Sequence, residues 1–182
     1  MYDKIFTFLN RYFKKATIFK VMFNISPMYK RSCGKIIFTS DDLHVVKIKI
    51  PLSYKNRNYV GSIFGGSLFA ATDPIYMIQL MQILGKDFVV WDKKTNIKFK
   101  RPAYEHAFAT FEFTTDEINE ILQKVQSENE IDYTKLLHIT DKNGTIFAEL
   151  DKTLYISTKA YYKQKRSLKR KPQSVQGFRK ER

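Results

Sequence analysis

The amino-acid sequence predicts an α+β domain with one long apolar helix and a mostly antiparallel sheet. Residues 63–84 are apolar on nearly all sides of a helix, so most of that surface must be covered, as a curved sheet wrapped around it would do. The other apolar segments are short, rich in β-branched and aromatic residues, and alternate with polar residues, which is typical of strands. One helix against one sheet of five to seven strands is an α+β layout.

The composition is that of a single folded domain. Of the 182 residues, 43% are hydrophobic and 15% aromatic, which excludes a disordered chain, a collagen-like fibre and a disulfide scaffold. Cys33 is the one cysteine, so an internal disulfide is impossible and nothing indicates an oxidising compartment. The sequence has no apolar run long enough for a transmembrane helix and no signal-peptide cleavage site. We therefore expect a cytoplasmic protein.

The positive charge lies at the two ends of the chain. The net charge is +14, of which residues 1–33 carry +6 and residues 159–182 carry +9, whereas residues 34–158 carry −1. We therefore predict an N-terminal amphipathic helical segment over 1–33, a folded domain over 34–158 and a basic, disordered tail over 159–182.

The N-terminal helix is expected from Lys4 to Phe23, where apolar residues recur at helical spacing with basic residues between them, and Pro27 ends it. Two interpretations of its apolar face are open. The face packs on the domain's own sheet or on a second subunit, or it lies on a membrane surface with the basic residues turned outward.

The remaining elements follow in order along the chain. Strands are predicted over 36–38, 43–50, 88–91, 96–100, 107–113, 136–140 and 145–157. The long helix covers 64–84 and ends at Gly85, and a short helix covers 115–126 with Thr115 or Asp116 as its N-cap. A turn over 141–144 joins the last two strands. One face of the strand 107–113 carries Ala107, Ala109, Phe111 and Phe113.

The start of the long helix is the first candidate for chemistry. Gly65 and Gly66 lie where a loop enters the helix, and glycines there let the backbone approach a ligand closely. The free N–H groups of a helix start, together with the helix dipole, suit a developing oxyanion.

The second candidate is Asp73, the one acidic residue between Val60 and Leu84. A lone carboxylate among apolar residues must be paired, protonated or catalytic. Its structural alternative is that Asp73 is the N-cap of a second helical segment that begins at Pro74. Both interpretations are compatible, because a broken helix would expose the carboxylate.

These residues form a spaced motif made of Asn58, Gly61, Gly65, Gly66 and Asp73. The motif resembles the Asn-x-x-Gly-x-x-His-Gly-Gly pattern, followed by a helical Asp, of acyl-CoA thioesterases of the phenylacetate-pathway type, which have the hotdog fold. A closer resemblance is to the hotdog family called domain of unknown function 4442, over about residues 35–158. Its pattern is matched here by Gly61-Ser62, Phe64-Gly65-Gly66, Thr72-Asp73-Pro74, Leu84-Gly85 and Val90-Trp91-Asp92-Lys93.

The resemblance implies a long central helix wrapped by a curved sheet, and a thioesterase that acts on an acyl-CoA or a similar acyl thioester. Asp73 would be the general base or the nucleophile, the Gly65 N–H the oxyanion donor, and Asn58 the residue that orients water or substrate. The groove would lie between two subunits of a homodimer, with dimers able to pair into a homotetramer. Coenzyme A would be part of the substrate, and no separate cofactor is expected.

The resemblance also implies a substrate-binding set, formed by Gly66, Phe64, Ser67, Trp91 and Asp92. Two positions depart from the related enzymes. Phe64 stands where they have His, and Trp91 and Asp92 stand where they carry a Ser or Thr. Asp92 can also be a strand-end residue in a salt bridge with Lys93. These departures leave open an alternative, a non-catalytic hotdog protein that binds acyl chains or a partner protein, in one variant at a membrane surface.

Other candidate groups have simpler interpretations. The three histidines fall on separate predicted strands, so no metal site is expected, and Cys33 has no nearby His that would make it a nucleophile. The basic run 163–171 can touch anionic lipid, steer coenzyme A or simply keep the tail soluble. No aromatic residues interleave it, so specific nucleic-acid binding is not expected.

Overall fold

The computed structural model describes residues 13–170, except for the side chains of residues 169 and 170. This part of the chain forms six helices and six strands. The helices are α1 Lys15–Ile25, α2 Pro27–Arg31, α3 Gly65–Thr72, α4 Ile75–Leu84, α5 Thr115–Glu128 and α6 Lys159–Arg170. The strands are β1 Lys35–Thr39, β2 Val45–Ile50, β3 Phe88–Phe99, β4 Ala107–Glu112, β5 Glu130–Thr140 and β6 Ile146–Thr158.

All six strands form one antiparallel sheet in the order β1-β2-β4-β5-β6-β3. The sheet curves around the central helical segment, which confirms the predicted α+β fold class. Alternate residues of each strand face this segment, because side chains alternate between the two faces of a strand. The core-facing set of β4 is the predicted one, with Ala107, Ala109, Phe111 and the adjoining Phe113 all buried.

The central helix is not continuous, which corrects the prediction of one helix over 64–84. It divides into α3 and α4 at Asp73 and Pro74. Both residues keep helical dihedral angles, and the Asp73 N–H still donates to the Phe69 carbonyl at 3.0 Å. Pro74 has no N–H to donate, and its ring crowds the preceding turn, so the hydrogen-bond ladder is interrupted there. Gly85, with φ +83°, ends α4 as predicted.

Gln79 fastens α4 to the sheet. Its side chain is fully buried, and Nε2 donates to the Leu43 carbonyl at 2.7 Å and to the His44 carbonyl at 3.1 Å, just before β2 begins. A buried amide stabilises the fold where its hydrogen bonds are formed. Because these two bonds join α4 to the start of β2, they also fix the position of α4 relative to the sheet.

One edge of the sheet is covered by α1. Asn24 acts as a one-residue strand, since its side-chain amide donates to the Ile36 carbonyl at 2.9 Å and accepts from the Ile36 N–H at 2.8 Å. Lys20 and Thr39 add contacts between the same two elements. Of the two interpretations of the N-terminal apolar face, the structure favours packing on the domain's own sheet for Lys15–Ile25. Residues 4–12 lie outside the described part of the chain.

The opposite edge is β3, and its outer side has no strand partner within residues 13–170. The prediction of two separate strands over 88–91 and 96–100 is wrong, because β3 is continuous with a register shift between Asp92 and Lys94. The polar residues in the middle of β3 hide its strand character in the sequence. The same effect shortened β5, whose first half from Glu130 was missed.

The chain after β6 is helical up to Arg170, whereas the sequence predicted disorder from residue 159 onward. Two contacts hold α6 against the sheet. Lys165 binds Glu130 on β5, with Nζ 2.5 Å from Oε2, and the Tyr162 ring lies 6.3 Å from the Tyr155 ring between centroids. Residues 171–182 lie outside the described part. Within residues 13–170, no helix has both the length and the apolar character needed to cross a membrane.

The N-cap of α5 differs by one residue from the prediction of Thr115 or Asp116. Thr114 is the cap, and its Oγ1 accepts from the Glu117 N–H at 3.1 Å while the Glu117 carboxylate accepts from the Thr114 N–H at 2.8 Å. This reciprocal pair is a capping box.

We predict that Thr114→Ala lowers the free energy of unfolding by about 1 kcal/mol, because it removes the acceptor of one orphan N–H group. Thr115→Ala is the matched control and should change the stability by less than about 0.5 kcal/mol. Urea unfolding followed by circular dichroism measures both. Equal losses in the two variants would contradict the assignment of Thr114 as the cap.

Candidate active site around Asp73

Asp73 lies at the break between α3 and α4, above β6. Its carboxylate Oδ1 is 2.9 Å from Lys152 Nζ, and the side chain is 43% exposed. The same ammonium group also donates to the Asp73 backbone carbonyl. No side-chain cap is formed at the start of α4, so the N-cap alternative for Asp73 is wrong. The carboxylate is instead held from below by a cation and is open to solvent on its other side.

The partner of Asp73, Lys152, is a fully buried lysine on β6. It is one of the alternate β6 residues that face the central helix, where its neighbours are Leu150 and Leu154. Lys152 is not among the site residues predicted from the sequence. A detectable signal was present, because a lysine interrupts an otherwise apolar stripe in Leu150-x-Lys152-x-Leu154-x-Ile156. Lysine is almost never fully buried unless it is paired.

A second carboxylate completes the cluster. Asp92 Oδ1 lies 3.0 Å from Lys152 Nζ, although the angles at this contact are too bent for a good hydrogen bond. The Asp92–Lys93 salt bridge that the sequence suggested is not formed, since Lys93 binds Asp132 at 2.5 Å instead. One ammonium group therefore faces two carboxylates, and we call Asp73, Lys152 and Asp92 the ion cluster.

Burial raises the pKa of the Asp92 carboxyl above its ordinary value. Lys152 opposes this shift, while the nearby Asp73 charge adds to it. Two carboxylates that share one cation cannot both be fully compensated, so a proton is easier to place on the more buried one.

The start of α3 carries the second predicted group of residues. The Phe64 N–H donates to the Asn56 carbonyl at 2.7 Å, whereas the Gly65 and Gly66 N–H groups have no acceptor within residues 13–170. They are orphan donors of a helix start. A Cβ atom on Gly65 would come within 2.9 Å of the Phe99 ring, so a close aromatic contact also explains this glycine.

Asn58 stabilises the loop that leads into α3. Its Oδ1 accepts from the Val60 and Ser62 N–H groups at 3.1 and 3.0 Å, and its Nδ2 donates to Ser62 Oγ at 2.9 Å. Gly61, with φ +85°, permits the turn inside this loop. Both polar atoms of the Asn58 amide group are thus used within the loop, and a direct role in orienting the substrate stays a prediction.

The structure brings some of the predicted site residues together and keeps others apart. Asp73 and Asp92 meet through Lys152, and Phe64 lies beside Gly66 at the helix start. Gly65 and Asp73, however, lie at opposite ends of α3. Eight residues of helix separate them by about 12 Å. Ser67 lies in the first turn of α3, with its N–H bonded to the Phe64 carbonyl at 2.9 Å.

Trp91 stands next to Asp92 on the open edge strand and is 52% exposed. Phe64 and Phe99 are exposed to a similar degree. Three large aromatic side chains therefore surround the ends of α3 without being part of the core. Large exposed apolar groups near polar candidates are typical of binding surfaces. Within residues 13–170 no group of three or more His, Cys, Asp or Glu residues could hold a metal ion.

Comparison with solved structures identifies the type of fold. The fold is similar to that of a probable thioesterase from Pseudomonas aeruginosa, with a TM-score of 0.69 and 18% identity over 78% of this chain and 95% of that chain. It is also similar to a thioesterase from Haemophilus influenzae, with a TM-score of 0.55 and 12% identity over 77% and 88% of the two chains. A thioesterase enzyme from Staphylococcus aureus, solved as a point mutant, gives a TM-score of 0.53 and 15% identity over 72% and 99%. The fold is thus of the hotdog, thioesterase-like type.

The family follows from the sequence itself. Residues 15–156 match the model of the family described as domain of unknown function (DUF4442), and the chain belongs to that family. The match begins inside α1, so it includes the helix that covers the β1 edge. No functionally curated protein matches the chain.

We predict that Lys152→Met lowers the free energy of unfolding by about 3 kcal/mol. It leaves two carboxylates without their cation, and the partial exposure of Asp73 places the cost at the low end of the range for a broken buried ion pair. The control is Lys93→Met, which breaks the exposed pair with Asp132 and should cost less than about 1 kcal/mol.

The triple variant Lys152→Met, Asp73→Asn, Asp92→Asn tests the cause of that loss. Because it removes every charge of the ion cluster together, it should recover part of the stability. Urea unfolding of all variants provides the comparison. A triple variant that is no more stable than Lys152→Met would show that the loss comes from packing and not from unpaired charge.

Proposed function

We propose that this protein is a thioesterase that hydrolyses an acyl-CoA or a similar acyl thioester. The observation that carries the proposal is the Asp73 carboxylate, which is fixed by a buried lysine and exposed at a break in the central helix. The likeness of the fold to several structures named as thioesterases supports the same reaction class.

Asp73 is proposed to act in one of two ways. As a general base it takes a proton from water, the resulting hydroxide attacks the thioester carbonyl, and the C–S bond breaks to release a thiol that regains the proton. As a nucleophile it attacks the carbonyl itself, which forms an anhydride and expels a thiolate. The thiolate takes a proton from the water molecule that then hydrolyses the anhydride, which releases the acid and restores the Asp73 carboxylate. In both routes Lys152 keeps the carboxylate in place through its contacts with Oδ1 and with the Asp73 backbone carbonyl.

The orphan N–H groups at the start of α3 are proposed to stabilise the oxyanion. The Gly65 N–H has no acceptor among the described residues, and it lies at the positive end of the helix dipole. Such a donor is effective when it lies about 2.7–3.1 Å from the oxygen on which charge develops. Phe64, Gly66 and Ser67 surround this region, whereas Trp91 precedes Asp92 on β3, near the other end of α3. All four are proposed to contact the substrate.

The geometry of α3 requires a second copy of the chain for this mechanism. One thioester carbonyl cannot reach the Gly65 N–H and the Asp73 carboxylate of the same chain, because about 12 Å of helix separates them. The open edge of β3 offers a surface on which two copies can pair. We propose a homodimer in which Asp73 faces the Gly65 of the other subunit, with a homotetramer as a further assembly.

Coenzyme A belongs to the substrate in this proposal, and no separate cofactor is needed. The basic residues of α6 give a positive surface that can attract its phosphate groups. The same surface can contact an anionic membrane.

A second candidate function is a hotdog protein that binds acyl chains or a partner protein without turnover. The Phe64 side chain favours it, since an exposed phenyl ring stands at the helix start where related enzymes have a polar His. The Phe99 ring against Gly65 adds a further apolar group beside the proposed oxyanion donor.

We predict that Asp73→Asn lowers kcat by about 10²–10⁴-fold with folding intact, because the amide can neither accept the proton nor attack. The assay is thiol release from short, long and aromatic acyl-CoAs. Asp132→Asn is the control, since it makes the same chemical change on the surface of β5 and should keep full activity. If no acyl-CoA is hydrolysed by the wild type, the binding function replaces the thioesterase.

We also predict that Gly65→Pro abolishes turnover while Gly65→Ala retains most of it. Both variants add a Cβ against the exposed Phe99 ring, but only proline removes the N–H. Proline is tolerated as the first helical residue, and Phe64 with φ −58° and ψ 128° has the conformation that a following proline requires. Circular dichroism checks that both variants fold.

Mixing Gly65→Pro with Asp73→Asn tests the shared site. If each site combines Gly65 of one subunit with Asp73 of the other, subunit exchange builds one intact site in each mixed dimer, and random mixing restores about a quarter of the wild-type activity. An unchanged zero activity after exchange would mean that both residues act from the same chain.

A further inference from the structure

We infer that a cavity between α1, α4 and β3 binds an unbranched alkyl chain. Where the bound alkyl chain is taken to be the acyl group of a thioester, the inference rests on the proposed function. The cavity lies in the opening that the curved sheet leaves between its two edges. The helix α1, which covers the β1 edge, forms one wall of the cavity. Trp91 on the free β3 edge forms the opposite wall, and α4 forms the base of the cavity.

The cavity is lined in large part by residue types that are rare elsewhere in this protein. The cavity has a volume of about 350 Å³, which lies within the range of about 300–1,000 Å³ that is common for small-molecule sites. Four of the five methionines of the chain line it, together with its single tryptophan. These residues are Met22, Met28, Met77, Met81 and Trp91.

The chemistry of the lining selects the class of ligand. Among residues 13–170 no charged side chain lines the cavity, so these residues would compensate neither a carboxylate nor a phosphate group inside it. Methionine is unbranched and polarisable, and it adapts its shape to the group that it contacts. A flexible apolar chain is therefore the ligand that this surface fits, with its polar end outside the cavity.

The cavity adjoins the ion cluster along the central helix. Met77, which lines the cavity, lies four residues beyond Asp73 and therefore on the same face of the helix, about one turn away. An alkyl chain that fills the cavity can thus extend towards the Asp73 carboxylate. This continuity favours the alkyl part of an acyl thioester over a partner protein as the occupant, because the reacting carbonyl is the group that would emerge beside Asp73.

The single tryptophan provides a direct test that does not need turnover. Bromine quenches indole fluorescence on contact, so the probes are a long-chain fatty acid brominated in mid-chain and its coenzyme A thioester. We expect both to quench Trp91 in a saturable manner in the wild type and in Asp73→Asn alike. Unbrominated chains of the same length should compete, whereas acetyl-CoA should not.

Met81→Glu and Leu136→Glu form the matched pair of variants. Met81 lines the cavity and Leu136 lies on β5, away from it, and both side chains are partly exposed, so a charge at either position is compatible with folding. Met81→Glu should weaken the quenching at least about tenfold, because the chain would be buried against a carboxylate. Leu136→Glu should bind the probes as the wild type does.

The outcomes separate this inference from the proposed function. Quenching without thioester hydrolysis would support the cavity and reject the thioesterase, whereas hydrolysis without quenching would reject the cavity alone. If the brominated thioester binds more tightly than the free acid, the bound alkyl chain is part of a thioester. If the two probes bind equally, the ligand is a free lipid. Absence of saturable quenching would overturn the inference, and it is the result expected if a second copy or another part of this polypeptide fills the cavity. The inference is also overturned if the brominated probes quench Trp91 in Met81→Glu as strongly as in the wild type.

Discussion

The buried ammonium group of Lys152 holds together the part of the molecule that contains the candidate site. It joins three separate parts of the chain, since Lys152 itself lies on β6, Asp92 on the edge strand β3 and Asp73 at the break of the central helix. A lysine at this depth is tolerated because two carboxylates and a backbone carbonyl surround it. The orientation of Asp73 therefore depends on residues about 20 and 80 positions away along the chain.

The break in the central helix is the second constraint, and it follows from Pro74. An unbroken helix would bond the backbone groups around Asp73 within its own ladder and leave no carbonyl for Lys152. The N–H that Pro74 lacks would have bonded the Ala70 carbonyl. At the resulting break the Met77 N–H does not bond the Asp73 carbonyl, which accepts from Lys152 instead. The helix loses some regularity there, and the ion cluster gains a backbone ligand. Departures from ideal geometry that the surrounding structure holds in place are often found at functional sites.

The two edges of the sheet differ in whether another element covers them, and this difference determines which edge stays exposed. The β1 edge is closed by α1, with Asn24 supplying the hydrogen bonds of a neighbouring strand. The β3 edge stays open within residues 13–170. An open edge of twelve residues is a natural place for a second chain to pair. The methionine-lined cavity lies between these two edges, so α1 both covers the β1 edge and lines the cavity.

Much of the fold could be predicted from the sequence because the signals for it are local. Periodicity located the apolar helix and most strands, and glycines marked the end of α4 and the start of α3. The motif around Gly65 and Asp73 marked the candidate site. Most errors arose where tertiary contacts overrode local signals, as in the polar middle of β3 and in the helix α6. The N-cap of α5 is different, because its capping box is a local signal and the predicted cap lay one or two residues too late.

The sequence by itself determined the fold class and the place of the candidate carboxylate along the chain. Only the tertiary structure decided which cation holds that carboxylate and which surfaces surround it. The physical reason is that helix and strand patterns depend on neighbours a few residues apart, whereas an ion pair such as Asp73–Lys152 joins residues on different elements. Its existence depends on which strand faces which helix, and no local pattern contains that information.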